Sequence, residues 1–482
     1  MVGRRTQRVP PLQVLTASNP WWVNPRWAET DPQLRAVASA PFSWRPSLLD
    51  DIAPPNLYTL RGPRRVGKST VVKQTIERLL GSGVDPRRVC FFSADALSGF
   101  DALINVFKTV RDIFPDVGEA PRYFFVDEAT AIPEWQRALK WLRDNTGVAE
   151  DCVVATGSSA KDIAGGVTHL AGRRGPAVGL DRLLLPMSFP EFVRCTAVPV
   201  PASPRLAFNQ FYTPEGRAAC QQALLYAAPL IDAYERYLDV GGFPQAVAGF
   251  RRTGSVPTSF VRDLWDVVRA DLHALGVSRP EEGLGLLAGI VQRLTGTVTL
   301  RGLADELGIS HPTAGAWLEA LANAYMVLFL FQESGGVPVL RAQRKVYPID
   351  PVVAALPSLL ATRAPSPELS HLSEAVLAAA LFRATEGHGV DRFACPSRLF
   401  FYRSDHHGEV DFVVLPGPLT AEAKYIDAAA RGEARSMLAK FGAGLLLTRS
   451  AIDLDPELTI VPAGVFAWLL EQGDGAALKP GE

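Results

Sequence analysis

From residue 57 the chain alternates short runs that are apolar at nearly every position with stretches in which apolar residues recur at helical spacing. The runs are LYTLR at 57–61, VCFFSAD at 89–95, RYFFVDE at 122–128 and CVVATGSS at 152–159, and helical patterns cover 69–80 and 133–146. A strand that is apolar throughout must be covered on both faces, and strands separated by helices satisfy this in a parallel sheet. The pattern therefore predicts an α/β core. Residues 1–50, rich in Trp and Pro (NPWWVNPRW, PFSWRP), read as an irregular arm that packs against it.

From 181 to 295 the apolar positions fall at helical spacing, broken by the Gly-Gly-Phe-Pro turn at 241–244. The segment 298–348 then predicts a helix-turn-helix with a trailing hairpin. Leu303, Ala304 and Leu307 share one helix, Gly308 lies in the turn, and Trp317, Leu318 and Leu321 share the next helix. MVLFLFQE and the run ending in KVYPID supply the strands of a wing. A Pro- and Ser-bearing stretch at 361–370 makes a linker. Beyond it, 371–470 returns to alternation: a helix over SEAVLAAALFRA, strands at RLFFYRS, GEVDFVVL and LTAEAKY, a helix near 430–440, and GAGLLLTRS.

The first run leads into Gly62, Pro63, Arg64, Arg65, Val66, Gly67, Lys68, Ser69 and Thr70, and the first eight of these match GxxxxGK[ST] between a predicted strand and a predicted helix. Glycines let backbone N–H groups curl around phosphates while the helix N-terminus adds the positive end of its dipole. Lys68 reaches the β- and γ-phosphates, and the Ser69 hydroxyl ligates Mg²⁺. ATP and Mg²⁺ are the cofactors this predicts. FFVDE at 124–128 ends a strand in Asp127, which can assist the metal, and Glu128, which can act as general base toward water. The hydroxyls of Thr156, Ser158 and Ser159 end the next strand, with Ser158 the candidate γ-phosphate sensor. Arg173 is a candidate for stabilising the transferring phosphoryl group, in cis or from a neighbouring copy, so a homo-oligomer stays open.

A second constellation lies near the C-terminus. Asp411 in GEVDFVVL precedes Glu422 and Lys424 in AEAK. If these runs pair as adjacent strands, Asp411 meets Glu422 and Lys424, because positions i and i+2 share a face. Two carboxylates and a lysine can form a metal-assisted phosphodiesterase site, with Asp411 and Glu422 on Mg²⁺ and Lys424 orienting water. Glu374 can supply a third carboxylate. His406 and His407 lie beside the site as solvated or ligating groups.

Composition adjusts this outline. At ~150 residues per domain, 482 residues allow about three domains, and 48% hydrophobic with 21% charged residues exclude a disordered or collagen-like chain. The net charge of −1 excludes a generally basic DNA-coating protein, so any nucleic-acid site is a local patch. Residues 300–365 carry five cations and five anions, and 365–482 carry ten cations and sixteen anions, unfavourable for gripping phosphates. Arg outnumbers Lys by 40 to 9, so a Lys at a motif position carries weight. The five Cys form no CxxC pair, which speaks against a disulfide framework or a zinc knuckle and for a cytoplasmic protein. The N-terminus has no apolar leader, and the longest apolar run, 324–331, falls far short of the ~20 residues that span a bilayer, so no membrane association is expected.

GPRRVGKST, FFVDE, TGSS, AGR and LPMSFPEF within 171–192, YLDVGGFP at 237–244, KVYPIDP at 345–351, and GEVDFVV with EAK together resemble prokaryotic ATP-binding proteins that join an AAA-type (AAA_14-like) domain to a DUF4143 C-terminal region. The resemblance implies an arm at 1–50, a P-loop ATPase core at 51–195, a helical region at 196–295, a winged helix at 296–360 and a DUF4143 domain at 365–482 resembling PD-(D/E)xK nucleases. It places nucleotide contacts at Gly62, Gly67, Lys68 and Ser69, the acidic pair at Asp127 and Glu128, and the nuclease-like set at Glu374, Asp411, Glu422 and Lys424. EAK stands where EVK is more usual, and Ser-Glu-Ala where Phe-Glu-Asn is.

Two functions follow as expectations. The first is a Mg²⁺-dependent ATPase whose nucleotide state controls a winged helix and a nuclease-like module acting on DNA. The second is a nucleotide-gated regulatory or protein-interaction switch whose nuclease-like module has lost its chemistry.

Overall fold

The computed structural model describes residues 12–158, 170–274, 277, 279, 282–335, 337–360, 365–387, 396–404, 408–417 and 419–472. The chain divides into two compact units, the first ending at Leu184 and the second beginning at Leu185.

The first unit holds a five-stranded sheet of β1 (Leu57–Arg61), β2 (Val89–Ser93), β3 (Tyr123–Asp127), β4 (Cys152–Gly157) and β5 (Asp181–Leu183), in the order β2-β3-β4-β1-β5. Every neighbouring pair is parallel. β1 and β4 are buried at every position, as two-sided coverage requires. Helices α1 (Lys68–Gly81), α2 (Phe100–Ile113) and α3 (Trp135–Asn145) connect the strands. On α2, Leu103, Phe107 and Val110 line up at helical spacing and are buried, with the Phe107 ring 4.3 Å from that of Phe124 on β3. β5 lies within the region whose pattern predicts helix; three residues are too few to register as a run.

The N-terminal arm closes the β2 edge of this sheet. The Asn19 side chain donates to the Phe91 carbonyl at 2.8 Å and accepts from the Phe91 N–H at 2.6 Å, so one amide stands in for a missing strand. Trp21 and Trp22 each donate an indole N–H to the Val89 carbonyl, at 3.0 and 2.9 Å. The Lys73 ammonium of α1 lies over Phe91, Trp21 and Trp27 at 4.2–5.6 Å and pairs with Asp31 at 3.5 Å.

In the second unit, α4 (Leu300–Leu307) and α5 (His311–Asn323) form the expected helix-turn-helix. Thr299 and Ser310 cap them by accepting the N–H groups of Gly302 and Thr313, and Gly308 takes the left-handed conformation (φ 63°) that the turn demands. An antiparallel hairpin follows, β6 (Val327–Ser334) and β7 (Val337–Pro348). The linker ends where α6 (Leu369–Glu386) begins, an Ala-rich helix buried on nearly all sides. Strands β8 (Leu399–Arg403), β9 (Glu409–Val414), β10 (Leu419–Lys424), β11 (Gly444–Thr448), β12 (Asp453–Leu454) and β13 (Leu458–Pro462) complete the unit.

These strands and the hairpin form one mixed sheet, β12-β13-β11-β10-β9-β8-β6-β7. The boundary expected between 296–360 and 365–482 therefore runs through a continuous sheet, because β6 pairs with β8 at Phe331–Phe400 and Gln332–Phe401. Three motifs of the resemblance meet in this unit. Asp350 accepts the N–H groups of Gly242 and Val352 at 2.7 and 2.9 Å, Met187 N donates to the Gly242 carbonyl, and Tyr237 donates to the Met187 carbonyl. A side chain at Gly242 would start 2.1 Å from the Met187 carbonyl oxygen, so glycine is required there.

Cys90, Cys152, Cys195 and Cys220 are buried and take part in no disulfide. Among the described residues no helix is long and apolar enough to cross a membrane.

Candidate functional site

The strands of a parallel sheet present their C-terminal ends along one edge, and in the first unit that edge collects the predicted nucleotide residues. Gly62 leaves β1 with φ 148°, and a side chain there would start 1.9 Å from the Leu184 carbonyl oxygen. Gly67 (φ 105°) caps α1, while Val66, fully buried, anchors the loop between them. Arg65 is left-handed at φ 64°, a conformation that costs a non-glycine residue energy. Lys68 is buried, and its ammonium donates to the carbonyls of Gly62 and Pro63 at 3.0 Å each, inside the curve of its own loop. Arg64 and Thr70 are half-buried and Arg65 is exposed. Trp44 of the arm brings its ring to within 3.9 Å of where a Gly67 side chain would begin, and Gln74 donates to the Trp44 carbonyl.

Asp127 ends β3 with both carboxylate oxygens engaged by hydroxyls. Ser69 donates to Oδ2 at 2.7 Å and Thr156 donates to Oδ1 at 2.6 Å. Thr156 also accepts the Glu128 N–H at 3.0 Å. Glu128 is half-exposed, in the left-handed region at φ 50°, so the chain turns sharply at the two acids and separates their carboxylates. A hydroxyl and a carboxylate 2.7 Å apart form a set of hard oxygen donors, which fits Mg²⁺.

The β4 hydroxyl on Asp127 is that of Thr156, and Ser158, the candidate γ-phosphate sensor, is buried just past the end of the strand at Gly157. Arg173 pairs with Asp144 at 2.6 Å and bonds its own loop at the Ala171 carbonyl. Ser159 lies outside the described residues.

The second constellation also assembles. β9 and β10 pair antiparallel with Ala421 opposite Phe412, which brings Asp411 and Glu422 together as expected. The cation, however, is a different lysine. Lys345 on β7, fully buried, donates to Asp411 Oδ1 at 2.7 Å and Glu374 Oε1 at 3.0 Å, and pairs with Glu409 Oε1 at 2.7 Å. Tyr347, two residues on and so on the same face, donates to Glu374 Oε1 at 2.6 Å. The Ala423 N–H donates to Asp411 Oδ2 at 3.0 Å.

Burial pushes the Glu422 carboxyl up to about 8, reinforced by Asp411, and its Oε1 is buried without a hydrogen-bond partner. Burial and the charge of Asp411 push Glu374 up to about 7 against the pull of Lys345. Asp411 is itself buried, but Lys345 outweighs that penalty and holds it below the usual carboxylate value. Lys424 is half-exposed at the end of β10.

Among the described residues no three His, Cys, Asp or Glu side chains converge as a metal-ligand set, and an ammonium stands among Glu374, Glu409 and Asp411. Lys345 and Tyr347 are the residues that sequence reasoning missed. Their signal was present in KVYPIDP and in the scarcity of lysine. His406 and His407 lie outside the described residues.

The AAA domain family matches residues 54–193, and a domain of unknown function, DUF8612, matches residues 231–363. The DUF4143 region that the resemblance implies at 365–482 is not shown, and DUF8612 is matched upstream of it. No curated protein matches the chain. Among solved structures, the Walker-type ATPase PABY2304 of Pyrococcus abyssi is similar at 16% identity and a TM-score of 0.38, over 70% of this chain and 95% of that one. ORC1 of Aeropyrum pernix in complex with DNA is similar at 11% identity and 0.26, over 74% and 95%. CDC6P of Pyrobaculum aerophilum is similar at 14% identity and 0.24, over 74% and 96%. All three TM-scores lie below 0.5, and these likenesses carry no argument.

Proposed function

We propose that this protein is a Mg²⁺-dependent ATPase whose nucleotide state controls a winged helix and a nuclease-like C-terminal module, with DNA as the ligand of that output. The observation that carries the ATPase reading is the Ser69–Asp127–Thr156 hydrogen-bond chain beside a glycine loop whose lysine is seated on backbone carbonyls. The match of the AAA family over 54–193 supports it. Ser69 and Asp127 would hold Mg²⁺, which when bound neutralises charge on the phosphates. Lys68 would exchange the Gly62 and Pro63 carbonyls for phosphate oxygens, and Glu128 would take the proton of the attacking water. Thr156, bonded to Asp127 and to the Glu128 amide, ties the position of the base to that of the metal-assisting acid.

The helix-turn-helix and its hairpin support the winged-helix reading, and the pairing of β9 with β10 supports the nuclease-like one. One observation favours a second reading, a nucleotide-gated switch that engages protein. The exposed positions of α5 include His311, Ala316 and Glu319, and the helix carries neither Arg nor Lys, whereas a helix seated against DNA needs cations.

ATP turnover measured alone and with double-stranded DNA, single-stranded DNA and RNA tests both readings. Turnover that survives Lys68→Ala and Glu128→Gln removes the ATPase. Stimulation by one nucleic acid names the partner class, and stimulation by none supports the protein switch.

A further inference from the structure

Lys345 belongs to the hairpin that follows the helix-turn-helix, while Asp411 and Glu409 belong to β9, three strands away in the order β9-β8-β6-β7. Flat neighbouring strands lie about 4.8 Å apart, so three steps exceed the reach of a lysine side chain. The sheet must therefore bend between β7 and β9, across a β6–β8 pairing of two residue pairs. The bend brings β7 to the carboxylates of β9, and α6 supplies Glu374. The ammonium that meets these acids has no exposed surface.

We infer that Lys345 is the resident cation of the C-terminal carboxylate centre, standing where a divalent ion would have to bind and tying β7, β9 and α6 together, so that this centre is a metal-independent tie and not a hydrolytic site. Asp411 has one oxygen on Lys345 and the other on the Ala423 amide. Glu374 is shared between Lys345 and Tyr347. This carboxylate cluster has closed on an ammonium. The consequence for the nuclease-like reading above is that the module transmits position between hairpin and sheet and does not cut.

The test is Mn²⁺ binding to the full nucleotide-free chain carrying Ser69→Ala, read by loss of the free-ion electron paramagnetic resonance signal, with Mn²⁺-dependent DNA cleavage in parallel. Ser69→Ala removes the P-loop ligand, so the outcome is independent of whether the core hydrolyses ATP. No Mn²⁺ binding at millimolar ion and no cleavage are expected. Adding Lys345→Met should create one Mn²⁺ site, lost again with Asp411→Asn. Mn²⁺ binding or cleavage in the Ser69→Ala chain that Asp411→Asn abolishes overturns the inference, as does a folded Lys345→Met chain that gains no site. If Lys345→Met fails to fold, the Lys345→Met/Asp411→Asn pair should recover folding at least in part; no recovery overturns the tie.

Discussion

At the P-loop centre Lys68 donates its ammonium to two backbone carbonyls, and Asp127 accepts the hydroxyls of Ser69 and Thr156. At the C-terminal centre Lys345 spends its ammonium on Glu374, Glu409 and Asp411. Both centres are buried and both combine acids with a lysine. They differ in what a newcomer would meet. Phosphates arriving at the first can take Lys68 from carbonyl dipoles, which hold a cation less firmly than carboxylates do, and a divalent ion finds the hard oxygens of Ser69 and Asp127. A divalent ion arriving at the second must evict an ammonium from three carboxylates. Possession of acids and a lysine is thus a poor guide to catalysis; which acceptors the lysine already satisfies is a better one.

The largest effect that tests this contrast is loss of turnover. Lys68→Ala should abolish ATP hydrolysis and nucleotide binding in an equilibrium binding assay. Glu128→Gln should retain bound ATP while single-turnover hydrolysis falls by about 10²–10⁴-fold, the usual contribution of a general base. Next in size is stability. Lys345→Met leaves buried carboxylates without their cation and should cost about 3–5 kcal/mol by urea unfolding, followed through a probe in the second unit, with part of the loss recovered on adding Asp411→Asn.

A buried acid served by amides instead of an ammonium sharpens the comparison. Burial pushes Asp350 up to about 6 in spite of the two N–H groups it accepts. The folded state therefore holds this proton more tightly than the unfolded chain, so stability should fall as pH rises from about 4 to about 6, by on the order of 2–3 kcal/mol, and stay level above. Asp350→Asn should flatten that slope in unfolding curves taken across the window. The smallest expected effect is that of Lys424→Ala, a half-exposed residue, at less than about 1 kcal/mol in the same unfolding assay.

Much of the core was legible. β1 matches the predicted run at 57–61 residue for residue, and α1, β3 and α3 fall within two residues of their predicted bounds. Gly62 and Gly67 declare the loop because no other residue accepts their conformation and, at Gly62, the pressure of the Leu184 carbonyl. β5 was not legible, since its placement beside β1 depends on a parallel register with Thr59–Arg61 that three residues cannot announce. The bond from Thr156 to Asp127 depends on the parallel pairing of β3 with β4, which local pattern does not announce.

The sequence by itself determined the parallel core, the phosphate loop, the acids at the end of β3 and the helix-turn-helix. The reason is that these are set by local periodicity, by glycine conformation and by the rule that parallel strands bring their C-terminal ends to one edge. Tertiary structure alone decided which lysine serves the second carboxylate cluster. A mixed sheet has no such edge, and the neighbours of Asp411 depend on how far the sheet bends between β7 and β9. Lysine's scarcity pointed to Lys68 and Lys424, but the ammonium hydrogen-bonded to Asp411 and Glu374 is that of Lys345, while Lys424 acts on Asp411 and Glu422 through its charge.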